Sequence, residues 1–329
     1  MKTNTSLSIL NILAAGPLGP SAISSKLQIT PQMVHRHLKK LLANEQIRKQ
    51  GAPPKVLYFA NEKRSNFAFP QLTENVQEYV DNNYFNVKPD GEIAEGLAGF
   101  KWWATRTQQH KNFSLLASEY VATHKKYNDQ YRNNLHVIDA TFKIKDTFDE
   151  CNLDYLFYQE FYSLPKFGKT KTGQMVFLGK SGQNIKFIHK LADISRSAIL
   201  NIIEHFKIDG VIFAPHSIPR KISFLNMFKQ FLELDIPCSS MQKVFVSDIP
   251  IAQKSLTKLV DRIDNANNTI FTISENRAFK RVLIIDDAVG SGATLNIMAA
   301  KLKKISGAVF VCGFAITGSL KGFEVVNEI

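Results

Sequence analysis

Residues 281–295 read RVLIIDDAVGSGATL: a continuous apolar run, two aspartates, a glycine-rich loop and the polar start of an amphipathic helix. Few local patterns restrict a fold as much. An apolar run without polar alternation, here 282–285, is what a strand buried on both faces of a parallel sheet requires. Asp286 and Asp287 then stand where that strand is expected to leave the sheet, the edge at which such sheets bind ligands. Gly290 and Gly292 let backbone N–H groups turn inward around an anion. Ser291 and Thr294 add hydroxyl donors, and a helix predicted over 293–304 points the positive end of its dipole at the same place. Ala288, Val289 and Ala293 complete the expected binding loop. The arrangement suits a 5-phosphate. The acid pair cannot hold that phosphate, because like charges repel, so it needs a neighbouring part of the ligand that offers hydroxyl donors, and vicinal ribose hydroxyls fit. The plainer alternative is an ordinary strand, turn and helix whose acids cap the helix.

Upstream, GVIFAPHSIPRK at 210–221 is a second apolar run entering a Pro-rich basic loop, followed by an aromatic amphipathic helix near 224–234. A cationic loop at a strand end, with Pro215, His216, Arg220 and Lys221, suits a pyrophosphate; a solvated surface loop is the alternative. Further on stand Gln253, Leu256, Arg262, Asn265 and Phe271, where Arg262 is either a ligand contact or a surface salt-bridge partner.

The 281–295 stretch resembles the signature of type I phosphoribosyltransferases, in which the acid pair takes the ribose 2- and 3-hydroxyls of 5-phosphoribosyl-1-pyrophosphate (PRPP) and the following loop wraps the 5-phosphate. That family's loop usually carries paired threonines before its glycine; Gly290 and Ser291 occupy those places here. The spacing from Gln253 to Phe271 narrows the resemblance to ComF-type phosphoribosyltransferases and extends it over residues 182–317. The resemblance implies an α/β fold with a mostly parallel sheet flanked by helices, Asp286 and Asp287 as catalytic residues, and Pro215, His216, Lys221 and Arg262 as ligand contacts. It also implies Mg²⁺ carried by the ligand rather than by a dedicated protein site.

ComF-type proteins commonly begin with a cysteine-rich zinc module, and nothing of that kind is found here. Cys151, Cys238 and Cys312 are far apart, with the spacing of neither a zinc ribbon nor a disulfide framework, and are expected to be small core residues of a reducing cytoplasm. No apolar run approaches the ~18 residues of a membrane span, and the first residues do not read as a signal peptide. A soluble cytoplasmic protein is expected.

In place of a zinc module, residues 7–15 and 21–27 read as two short helices, and Thr30 with Pro31 opens a third as N-cap and first helical residue. Val34, Leu38, Leu41 and Leu42 recur at helical spacing and face a core, which leaves Gln32, His35, Arg36, Lys39 and Lys40 outward. Two short strands at 47–50 and 56–59 follow, with Arg48, Lys49 and Lys55 on their hairpin. This stretch resembles a winged helix-turn-helix of bacterial transcription regulators. Residues 1–60 carry eight Lys or Arg, among them Lys2 and Lys26, against the single acid Glu45, so +7 of the chain's +12 sits in its first fifth. A basic face of this kind favours contact with a phosphate backbone, because neutralising phosphates releases condensed counterions. Docking to an acidic protein or dimerisation is the alternative.

Residues 61–150 read as a mostly helical connector or dimer surface, with helices near 72–82 and 101–131 and with Trp102 and Trp103 expected in a core. From 151 to 329 the pattern is that of the phosphoribosyltransferase-like domain. It opens on two aromatic strands, YLFYQEFYSLP and QMVFLG, joined by a basic turn in which Lys166, Lys169 and Lys171 are read as a solvated hairpin tip, with a lid or hood contact as the alternative; a helix over 185–206 follows.

Two classes of function fit this organisation. In one, the chain is an enzyme that breaks the C1 bond of PRPP or a related ribose 5-phosphate compound, with the first sixty residues binding nucleic acid. A helix-turn-helix joined to such a domain resembles effectors encoded beside retron reverse transcriptases in anti-phage systems. There DNA or retron-type RNA/DNA, a reverse transcriptase and a second copy of the chain would be partners. In the other, the pocket senses PRPP or a nucleotide without turnover, as in purine-repressor-type regulators; a ComF-like role in DNA processing is a variant.

Overall fold

The computed structural model describes residues 5–61, 69–216, 221–244, 249, 251, 253–271 and 279–321. Lys2 and Arg220 lie outside the described residues, as does the side chain of Phe271. The chain divides into two compact units, Met1–Ala68 and Phe69–Ile329.

The first unit packs helices α1 (Thr5–Ala14), α2 (Pro20–Leu27) and α3 (Pro31–Ala43) with the antiparallel hairpin of β1 (Ile47–Gln50) and β2 (Leu57–Ala60). The α3 boundary follows from its cap: the Thr30 side chain accepts a hydrogen bond from the Met33 N–H, and Pro31 begins the helix. Ile9, Leu13, Ile23, Val34, Leu38, Leu41, Ile47 and Tyr58 form its core. The expected split of α3 follows, with Gln32, His35, Arg36, Lys39 and Lys40 all exposed.

The second unit opens with α4 (Glu74–Asn83), the short strands β3 (Phe85–Val87) and β4 (Ile93–Glu95), α5 (Gly96–Arg106) and α6 (Phe113–Tyr131). These helices share an aromatic core of their own around Tyr84, Phe100, Phe113 and Tyr120. The two tryptophans are not fully buried. Trp103 packs partly against Phe100 and Phe167, while Trp102 lies beside the cations of Lys88 and Arg106, which use its ring face.

The sheet follows: β5 (Ile138–Asp139), α7 (Thr141–Thr147), β6 (Tyr155–Phe161), the hairpin of β7 (Ser163–Leu164) and β8 (Gly168–Lys169), α8 (Lys171–Ser181), α9 (Ile185–Phe206) and β9 (Gly210–Phe213). Then come α10 (Phe224–Leu232), β10 (Cys238–Ser240), β11 (Gln242–Lys243), α11 (Leu259–Thr269), β12 (Ile270–Phe271), β13 (Arg281–Val289), α12 (Ala293–Lys301) and β14 (Phe310–Gly318). Six strands form one mixed sheet in the order β10-β9-β13-β14-β6-β5, parallel except for β5, and helices flank it. The expected α/β class with a mostly parallel sheet is met at this level.

Two expectations are corrected. QMVFLG is not a strand but the middle of α8: the Thr170 side chain accepts from the Gly173 N–H, so a local cap starts a helix where hydropathy alone reads as a strand. Residues 138–147, assigned above to the connector, supply the edge strand β5 to the sheet, and α7 packs on it; Ile138 and Ile144 lie in the core of the sheet and its helices.

The topology locates a crevice. From β9 the chain moves outward to β10, whereas from β13 it moves the other way to β14. Neighbouring strands whose continuations leave in opposite directions create a gap at their carboxyl ends, the usual ligand position in open α/β sheets.

Candidate functional site

β13 pairs with β9 only as far as Ile285 opposite Phe213, but with β14 as far as Val289 opposite Gly318. Asp286 is therefore the first residue of β13 free of β9. The aspartates do not leave the sheet, as read above; they sit on a strand still held on one side, which fixes their backbone while their β9 side opens to a cavity of about 520 Å³. The cavity brings together Asp286, Asp287, the whole of 288–294, Pro215, His216 and Arg262. Lys221 is exposed and does not line it.

The two acids have different surroundings. Asp287 is 6% exposed, and its Oδ1 lies 2.6 Å from Nζ of Lys180 at the end of α8. Asp286 Oδ1 accepts the Asp287 N–H at 2.8 Å. Burial, and then the charge of Asp287, push the Asp286 carboxyl up to about 7, against the opposing effect of Lys180. Two carboxylates side by side are costly in an empty site and useful only when hydroxyls or ligand-borne cations reach them.

The loop at 290–292 ends in a glycine that geometry demands. Gly292 has φ +86° and is the N-cap of α12, and a Cβ there would lie 2.1 Å from Cδ1 of Ile144. Gly290 is under no such restraint; beside it stands the Arg262 guanidinium, whose Nε donates to the Leu256 carbonyl at 2.7 Å. The N-terminus of α12 thus opens on the cavity with Ser291 and Thr294 at its rim.

Sequence reasoning missed part of the cavity's lining. Lys180 and Lys243 both line the cavity, so with Arg262 three cations face two acids. Burial lowers the Lys243 ammonium, which donates to Asn265 Oδ1 at 2.9 Å; Gln253 reaches the same oxygen at 3.2 Å. Tyr162, Phe177 and Phe224 add an aromatic side, and Lys169 Nζ stands 4.7 Å over the Phe177 ring. The misread strand at 174–179 hid Phe177 and the Lys180 that follows it, and no local pattern marks Lys243. Such a cavity can hold an elongated polyanion by its charged end and a flat apolar group on its rings.

Among the described residues, no group of three or more His, Cys, Asp or Glu is placed to hold a metal ion. Cys312 is buried, Cys151 and Cys238 are half-buried, and all three are free thiols. No helix among the described residues is long and apolar enough to cross a membrane. In the first unit, Lys49 and Lys55 are exposed and Arg48 stacks 5.2 Å over the Phe59 ring. His37 is not on the basic face: its Nδ1 lies 2.8 Å from Ser6 Oγ. A scan against protein-family models finds no match for this chain, and a search of curated proteins finds none.

Proposed function

We propose that the cavity binds PRPP or a related ribose 5-phosphate compound and breaks its C1 bond, and that the first unit is a winged helix-turn-helix that binds nucleic acid. The observation that carries the reading is the opening of β13 at Asp286: an acid pair, a glycine-gated helix N-terminus and a cationic wall share one cavity at the sheet's switch point.

In this reading the N–H groups at 291–294 and the α12 dipole take the 5-phosphate, and Asp286 and Asp287 accept the ribose hydroxyls. Lys180, freed from Asp287 as those hydroxyls arrive, moves its charge to the pyrophosphate, with Arg262 and Lys243 as further cations. Mg²⁺ bound to the pyrophosphate would neutralise charge as the leaving group forms. The C1–O bond breaks, pyrophosphate leaves with the bonding pair, and an acceptor's lone pair closes on C1. The carboxylates stabilise the positive charge that develops on the ribose ring between those events. The aromatic side is where a flat acceptor would stack. The basic face of the first unit makes nucleic acid the natural regulator of this activity, as in an effector held in check until its DNA or RNA partner changes.

Calorimetric titration with Mg²⁺ and PRPP tests the site. Wild type binds, and the Asp286→Asn, Asp287→Asn double variant loses binding while retaining its circular dichroism; unchanged affinity removes the assignment. Incubation with PRPP, Mg²⁺ and bases, nucleotides or nucleic acid should release pyrophosphate or ribose 5-phosphate. Absence of turnover, with PRPP and DNA altering each other's affinity by one common factor, would make the protein a sensor instead.

A further inference from the structure

Helix α7 lies outside every motif that points to the cavity, and its residues do not line it. It nonetheless touches the anion loop twice from behind. Ile144 fills the space that a side chain at Gly292 would need. Lys143, only 7% exposed, donates from Nζ to the Gly290 carbonyl at 3.2 Å and to the Ser319 carbonyl at 3.0 Å, with Tyr158 Oη at 3.5 Å. Gly290 and Ser319 follow β13 and β14, the pair whose ends are already joined by the Ser319 N–H to the Val289 carbonyl. A lysine buried at the junction of two strand ends is expensive to desolvate, so its place there calls for a physical reason.

The reason lies in the peptide plane. In a trans peptide the C=O of one residue and the N–H of the next point in opposite directions. A Gly290 carbonyl held towards α7 turns the Ser291 N–H the other way; a carbonyl turned inward would instead present its negative end to a bound anion. We propose that Lys143 is a positioning residue for the phosphate site: from outside the cavity it holds the Gly290 carbonyl away from the anion and aims the Ser291 N–H at it. This inference rests on the 290–294 loop being the phosphate site. Burial lowers the ammonium to about 8, so at neutral pH it remains a cation behind the loop and adds its field to that of α12.

The test uses the full chain, with inorganic phosphate and ribose 5-phosphate as probes in calorimetry at pH 7. Lys143→Met should weaken both by at least about tenfold, as expected when a charge-assisted hydrogen bond that orients a donor is removed. Lys143→Arg, which keeps charge and donors, should stay within a few-fold of wild type. Should the methionine variant fail to fold, Lys143→Gln serves, with a loss between the two. A folded neutral variant that binds both probes as wild type does overturns the proposal. If wild type binds neither probe, the phosphate reading falls and the proposal falls with it; equal binding by wild type and a folded neutral variant leaves that reading standing and removes the proposal alone.

Discussion

Replacing Asp286 by Asn should stabilise the empty protein while removing its ligand. The two side chains have the same shape, and the Asn carbonyl keeps the 2.8 Å bond from the Asp287 N–H. What disappears is a negative charge confined beside Asp287. Each unit of pKa shift corresponds to about 1.4 kcal/mol of differential interaction. Lys180 already offsets part of the cost of that charge and loses a partner when the charge is removed, so a gain on the order of 1–3 kcal/mol, equivalent to about one or two such units, is expected at pH 8. For a unit of this size that raises Tm by roughly 2 to 10 °C. The sign depends on pH in a defined way. A carboxyl whose folded pKa lies above its unfolded one holds its proton more tightly when folded, so its contribution to stability is full below about pH 4 and is lost as pH rises to about 7. The advantage of the Asn variant should therefore be near zero at pH 4, grow to pH 7, and level off above it. Differential scanning fluorimetry across pH 4–8.5, each variant against wild type, measures this. A difference that is flat with pH, or an Asn variant less stable at pH 8, refutes the electrostatic argument. The accompanying loss of PRPP affinity would mark the pair as a charge arrangement kept for binding at the expense of stability.

Gly292→Ala combines a left-handed backbone with a Cβ 2.1 Å from Ile144 Cδ1, so it should cost roughly 2–4 kcal/mol by chemical denaturation and abolish phosphate binding. Ile144→Ala in the same background should recover part of that loss, and strict additivity would show that the clash is not the cause. In the first unit, Arg36→Ala, Lys39→Ala and Lys49→Ala together should weaken duplex DNA similarly for all sequences. They should also reduce the slope of log K against log salt by about 0.9 for each phosphate that is no longer neutralised, and an unchanged slope would redirect the basic face to a protein partner.

What could be read from the sequence was what short-range chemistry decides. Thr30 and Pro31 announce α3 because a cap and a fixed φ act within one turn, and α9 fills the 185–206 range expected of it, opened by Asn184 capping two N–H groups. The buried runs at 210–213 and 282–285 follow from burial on both faces. The failures share a different cause. QMVFLG is apolar enough for a strand, and Thr170 decides for the helix. The extension of β13 past Ile285 depends on β14, which comes only after α12 and is not visible from the loop itself.

The cavity divides along the same line. Its backbone comes from one contiguous stretch and is legible there, because a glycine at φ +86° and a helix N-terminus are properties of neighbouring residues. Its cations come from α8, β11 and α11, and the lysine beneath its loop comes from α7. An ammonium on a long flexible stem carries no positional signal in sequence, since the same residue on a solvated face reads identically. Only the sheet order turns these scattered lysines into one field. A motif search confined to 281–295 therefore finds where an anion would sit, whereas in the proposed reading the strength and selectivity of its binding would rest on Lys143, Lys180 and Lys243, which lie at least 38 residues before that stretch begins.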